Sequence, residues 1–283
     1  EDDGVPMACW LKLGDTTGGN VDISVNASPI QAAEILKDRL WGSCYGAVVT
    51  SATLRSLGNF STLQRETGVP DSAHFLSVAG AFDYTKSAIL RVPSDAIEGN
   101  AVEEHTRYII DNLASMVEDK AGTLVLFSSK RQMEQVFDEL PNDLARLILI
   151  QGQYSNREMV RLHKERIDQG KTSVLLGLAS FAEGVDLPGD YCRHVVIAKL
   201  PFAVPNEPLQ EALAEWIESQ GGNSFFDISL PLASLRLIQA SGRLLRTETD
   251  TGTVSILDKR LVTKRYGKQL LDALPPFHRE VGH

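Results

Sequence analysis

The stretch Leu124-Val125-Leu126-Phe127-Ser128-Ser129-Lys130-Arg131-Gln132 runs four apolar residues into two hydroxyls and a capping box. An unbroken apolar run of this length reads as a strand buried on both faces. Ser129 with Gln132 three residues on marks a helix start, because the serine oxygen accepts from an otherwise orphan N–H. The same strand-then-helix pattern recurs along the chain. Apolar runs at 46–50, 147–150, 174–178, 195–200 and 254–257 read as buried strands. A second capping box opens at Ser155, and Ser28-Pro29-Ile30-Gln31 offers a serine cap with proline at the first helical position. This alternation predicts an α/β layered fold with a mainly parallel sheet.

Working outward, the chain has 283 residues, of which 43% are hydrophobic and 23% charged, a globular balance sufficient for one large or two ordinary domains. No apolar run is long enough to span a membrane, so no membrane partner is expected. The chain starts at Glu1 rather than Met and reads as a piece of a longer protein. Its net charge of −9 counts against a protein that coats DNA through its overall field; any nucleic-acid contact must be a local groove or patch. Cys9, Cys44 and Cys192 have no metal-ligand spacing and read as buried thiols of a reducing cytoplasm, and the histidines are scattered. No metal site is expected. Gly, Pro, Ser and Asp concentrate between Thr67 and Asp83. A boundary there leaves residues 1–70 as a helix–strand–helix piece too small to bury a core, and residues 71–283 as a complete domain.

Four segments have the composition of ligand loops. In Gln239-Ala-Ser-Gly242-Arg243-Leu-Leu-Arg246 the spacings of four and three place Gln239, Arg243 and Arg246 on one face of a helix opening near Pro231. Two forked guanidiniums suit the charge of a transferring phosphoryl group, and Gly242 keeps the neighbouring surface low. The alternative is a solvated basic face. In Gly177-Leu-Ala-Ser180-Phe-Ala-Glu183-Gly184-Val-Asp186, small residues at a strand's end allow close approach by a ligand, while Glu183 and Asp186 can orient a hydroxyl, a water or an arginine. The alternative is a turn with two solvated acids. Val49-Thr50-Ser51-Ala52-Thr53 and Phe127-Ser128-Ser129-Lys130 each run from a strand into hydroxyls, the second able to hold a phosphate on backbone N–H groups or simply to cap a helix. Gly170-Lys171-Thr172 imitates a phosphate-binding loop, but Glu165 stands where its first glycine belongs, so Gly170 reads as a helix stop.

In this order and spacing, the four segments resemble the later motifs of superfamily-two helicases: Ser51-Ala52-Thr53 the third, 124–129 the fourth, 177–186 the fifth and 239–246 the sixth. The Phe181-Ala-Glu-Gly-Val-Asp186 wording is similar to the XPD/Rad3 branch. Lys199-Leu-Pro-Phe202 and Asp258-Lys-Arg-Leu…Tyr266-Gly-Lys…Ala273-Leu-Pro275 resemble the bacterial DinG/YoaA group. The resemblance covers the chain from Ser28 onward. At the domain junction Gly80-Ala81-Phe82 departs from the family's Ser-Pro-Phe.

The resemblance implies a RecA-like, P-loop NTPase-like three-layer domain preceded by the tail of a first motor domain. It implies ATP-dependent 5′-to-3′ DNA unwinding in repair or replication in the bacterial cytoplasm. The phosphate-binding loop, the Asp-Glu-Ala-His box and a 4Fe-4S cluster belong to the first motor domain, and none is written here. Arg243 and Arg246 would reach the phosphates of ATP with its Mg²⁺, with Gln239 positioning the nucleotide or the attacking water. Glu183, Gly184, Asp186 and Gly242 would line the nucleotide side, and Ser128, Ser129, Lys130, Ser180 and Thr53 the single-stranded DNA side. A second reading is a docking module for a replisome accessory subunit.

Overall fold

The computed structural model describes residues 6–14, 22–203 and 207–282, except the side chains of Ala182 and Glu183. It divides into two compact units, Glu1–Ser77 with Ala203–Leu232, and Val78–Phe202 with Ala233–His283.

In the first unit, strands β1 (Met7–Leu13) and β2 (Ile23–Pro29) pair antiparallel, Ala8 opposite Ser28 and Trp10 opposite Asn26. Helix α1 (Ala33–Leu36) continues as a π-helix over Lys37–Trp41, and α2 (Ser61–Thr67) follows. The Trp41 indole N–H donates to the Thr67 carbonyl at 2.6 Å, and α9 (Pro208–Ser219) packs on β1. Two expectations fail here. Ser28 and Pro29 end a strand rather than open a helix; pairing with Met7 and Ala8 claims their backbone, and proline is tolerated at the end of such a strand. The run at 46–50 is no strand, and Val48 is 93% exposed. A parallel strand takes its hydrogen bonds from lateral neighbours, and no described strand pairs with this run. Among the described residues before Val78 only Ala8, Ser56 and Thr62 are buried, so this segment has little core of its own.

The second unit alternates strand and helix. Its elements are α3 (Tyr84–Ser87), β3 (Ala88–Val92), α4 (Val102–Asn112), β4 (Gly122–Phe127), α5 (Lys130–Glu139), α6 (Asn142–Ala145) and β5 (Ile148–Ile150). They continue with α7 (Asn156–Asp168), β6 (Ser173–Leu178), α8 (Ala179–Glu183) and β7 (His194–Ile197). Helix α10 (Leu230–Ser241) leads to β8 (Gly252–Ile256), α11 (Arg260–Thr263), α12 (Arg265–Ala273) and β9 (His278–Val281). The sheet order is β5-β6-β4-β7-β8-β3-β9, and every pairing is parallel. Leu124, Leu175, Val195 and Val254 are wholly buried, as central strands of a sheet covered on both faces must be. Helix α4 with the turn after it, and helix α5, pack Ile109, Leu113, Met133 and Val136 against Val125 and Phe127 of β4.

Local signals hold where they are self-contained. The Ser129 and Ser155 hydroxyls each accept from the backbone N–H three residues on, at 3.3 Å. Gly170 stops α7 with φ +70°: its N–H bonds the Ile167 carbonyl, and that of Lys171 the Arg166 carbonyl, the pairing of a left-handed helix stop. The thiol expectation holds for Cys192, which is buried and pushed up to about 12 chiefly by desolvation. It fails for Cys9, which lies exposed on β1.

Candidate functional site

Because the strands are parallel, their C-terminal ends deliver consecutive loops to one edge of the sheet, where α/β folds place ligands. Ser128 follows β4, Ser180 follows β6, Lys199 follows β7 and Asp258 follows β8.

The arginine motif has a different local geometry from the expected one. Helix α10 ends at Ser241, so Arg243 and Arg246 lie beyond it and share no helix face with Gln239. Bonds from Arg243 N–H to the Ala240 carbonyl and from Leu244 N–H to the Ser241 carbonyl tighten the end of the helix. Asp250, 4% exposed, then turns the chain by accepting from the N–H groups of Arg246 (2.7 Å), Thr247 (2.9 Å) and Gly189 (3.1 Å). Desolvation raises its pKa, but the Thr247 hydroxyl and these N–H groups outweigh it and hold the carboxyl below its usual range.

The turn nonetheless brings the guanidiniums together. Arg243 Nη1 (3.3 Å) and Arg246 Nη2 (3.0 Å) both donate to the Val185 carbonyl, and Arg246 Nε lies 3.3 Å from Asp186 Oδ1. The acid expected beside an arginine is therefore present. With Asp186 75% exposed, this pair is worth about 0–1 kcal/mol after solvent screening. The Val185 carbonyl thus receives both guanidiniums, and the Arg246 fork also meets a screened carboxylate.

The other expected residues divide. Gln239 is half-buried on α10; Gly242 and Gly184 are exposed, and a Cβ on Gly184 would meet nothing nearer than 4.0 Å. The Glu183 side chain lies outside the described residues. Ser128 and Ser180 are exposed, Ser129 spends its hydroxyl on the α5 cap, and Lys130 Nζ stands 3.5 Å from Glu134. Thr53 belongs to the first unit, where its N–H donates to Ser51 Oγ at 3.2 Å. Gly177 leaves no room for a ligand: its missing Cβ makes space for Phe181, whose ring would lie 2.5 Å away and is 1% exposed. Gly177→Ala should therefore destabilise the domain by about 1–3 kcal/mol through overpacking. Urea denaturation checks this; an unchanged midpoint would show that the ring moves freely.

One cluster carried no role in the sequence reading. Asp258, with no exposure, accepts from the N–H groups of Gly99, Leu200 and Arg260 (3.1 Å each) and from Arg260 Nη2 (2.6 Å). A Cβ on Gly99 would stand 2.5 Å from Asp258 Oδ2, 2.9 Å from Lys199 Cγ and 3.0 Å from Arg260 Nη2, so three charged side chains converge over that backbone. The Lys199 ammonium is pushed down by burial and then by Arg260, with Asp258 offsetting. The Arg260 guanidinium lies over the Phe202 ring at 5.6 Å, and Phe202 meets Tyr266 edge-on at 5.6 Å. The only sequence signal was the family wording around Lys199 and Asp258.

The all-parallel sheet with its helices is similar in fold to the RecA-like domains of helicases. Of solved structures, "Structure of S. tokodaii Xpd4" aligns with a TM-score of 0.56 at 17% identity over 92% of this chain and 49% of that one. "XPD_APO" aligns at 0.51 and 18% over 70% and 40%. At such identities the likeness speaks for the fold alone. Residues 112–277 match the family described as Helicase C-terminal domain. The chain is 43% identical to the ATP-dependent DNA helicase DinG of Photobacterium profundum over 99% of its own length and 41% of that protein. It is 38% identical to the DinG of Escherichia coli K12, over 97% and 39%. It thus spans about two fifths of the curated relatives it matches. This chain belongs to the helicase C-terminal domain family.

Proposed function

We propose that the chain supplies the second motor domain of an ATP-dependent DNA helicase of the DinG group, acting 5′ to 3′ in repair or replication in the bacterial cytoplasm. In this reading residues 71–283 form that domain and residues 1–70 are the tail of the first. The observation that carries it is the convergence of Arg243 and Arg246 on Val185 and Asp186. When ATP is bound, the two guanidiniums leave that carbonyl and carboxylate for phosphate oxygens. They neutralise charge as it spreads over the transferring group, while Gln239 orients the nucleotide or attacking water. Asp186, released from Arg246, reports the change along the loop that begins at Ser180. Ser128, Ser129, Lys130 and Ser180 meet the strand's phosphates, with Thr53 serving from the first motor domain.

Mg²⁺ and a 4Fe-4S cluster find no fitting set here: the described residues hold no group of three His, Cys, Asp or Glu side chains that could bind a metal. Their ligands are assigned to the first motor domain, together with the phosphate-binding loop. The chain alone should accordingly show no ATP turnover above background and should bind single-stranded DNA weakly, with an affinity that falls steeply with salt. Fluorescence anisotropy over a salt series and a phosphate-release assay check both. Turnover abolished by Arg243→Ala, or tight salt-insensitive binding, would overturn this reading.

A further inference from the structure

Two cavities of the second compact unit, about 590 and 770 Å³, share Arg107, Ile110 and Glu139 and so form one trough along α4, α5 and α6. Its larger half is lined by the apolar residues Ile110, Val117, Pro141, Leu144 and Leu147. Ile110 and Leu144 are buried, at 7% and 8% exposure. Asp111, Asp119, Glu139 and Asp143 rim that half, and Glu103 adds a fifth carboxylate further along. The cations lining the trough are Arg107 and Arg131, and Arg107 is already tied to Glu139 at 3.6 Å. Asp111, Asp119 and Asp143 are exposed at the rim.

One half of the trough reaches Ser129 at the start of α5, but the half that carries the apolar residues lies apart from the site above. Asp119 precedes β4, Leu147 precedes β5 and Thr172 precedes β6, so the larger half lies at the N-terminal ends of parallel strands. The loops assigned to nucleotide and DNA follow the opposite ends of these strands. An apolar groove ringed by excess negative charge repels a phosphate backbone and attracts a cationic partner with an apolar stripe. Helix α4 supplies a wall of 11 residues, roughly 16 Å, which matches three turns of a docked helix.

We propose that this trough is a docking site for a basic amphipathic helix of a partner protein, its apolar face on Ile110, Val117, Leu144 and Leu147 and its lysines or arginines against Asp111, Asp119 and Asp143. The proposal is independent of the arginine site and survives its failure.

The test uses the whole chain and a fluorescein-labelled synthetic helix with leucine at i, i+3, i+4 and i+7 and lysine elsewhere. A control peptide carries glutamate in place of lysine. Anisotropy should show binding of the lysine peptide at least tenfold tighter than that of the control, weakening with salt as the charges are screened. Asp111→Lys/Asp143→Lys should weaken it at least tenfold, and Asp111→Asn/Asp143→Asn by less. Melting temperature confirms that these exposed substitutions leave the fold intact. Equal binding of both peptides, binding unchanged by charge reversal, or displacement of the peptide by single-stranded DNA would overturn the proposal. So would self-association of the chain, seen by sedimentation, that charge reversal abolishes, because the occupant would then be a second copy.

Discussion

Arg246→Ala, in a protein carrying both motor domains, is expected to lower DNA-stimulated ATP turnover by about a thousandfold or more, the usual cost of losing an arginine that meets the transferring phosphoryl group. ATP affinity should fall far less, because the interaction strengthens mainly in the transition state. Arg246→Lys should be nearly as damaging: an ammonium is a point donor and cannot span two oxygens as the fork does. Unfolding should not confuse the result. The Asp250 contact to residue 246 is made by its backbone N–H and survives substitution, and the Asp186 pair is largely exposed. Turnover and ATP affinity measured for both variants decide the matter. Near-normal turnover of Arg246→Lys would make these arginines structural.

Asp258→Ala should cost about 3–5 kcal/mol of stability, the cost of breaking a buried ion pair from one side. Arg260, with 14% side-chain exposure, would be left over Phe202, and the N–H groups of Gly99 and Leu200 would lose their acceptor. Desolvation pushes the Asp258 pKa up, but Arg260 and these N–H groups outweigh it and hold the carboxyl below its ordinary value. The sign follows from that. A depressed carboxyl contributes stability above its unfolded pKa of about 3.9, and that stability is lost as pH falls through the folded value. Urea midpoints of wild type and Asp258→Asn should therefore differ most at neutral pH and converge in acid. A difference constant down to the most acidic folded condition would show that the carboxylate's charge is irrelevant and only its shape matters.

How legible the molecule was depended on whether each signal was local. The runs now forming β4, β5, β6, β7 and β8 could be read because a strand buried on both faces is apolar at nearly every position. Strand β9 could not: His278, Arg279 and Glu280 are exposed, and only the pairing of this edge segment with β3 makes it a strand. The run at 46–50 had the right composition and found no partner. Gly177 looked like room for a ligand because a sequence shows an absent Cβ but not the Phe181 ring that uses the space.

The candidate site divides along the same line. The residues themselves established which groups are present: two guanidiniums, two acids in the loop after β6, and serines at a helix cap whose hydrogen bond spans three residues. Such features depend on chain-local spacing, which tertiary packing left intact at Ser129 and Ser155. Helical periodicity misplaced Arg243 and Arg246, because it carried the helix through Gly242, whereas α10 ends at Ser241. Here Asp250 closes a turn with partners as distant as Gly189, and that turn brings both arginines to Val185. Asp258 over Gly99 joins residues 159 positions apart, a contact that no spacing rule reaches. The sequence alone determined the parallel α/β core and the inventory of charged groups, because burial and capping act over a few residues. Which of those groups meet was decided only by the tertiary structure, because convergence depends on strand order and on turns closed by distant partners.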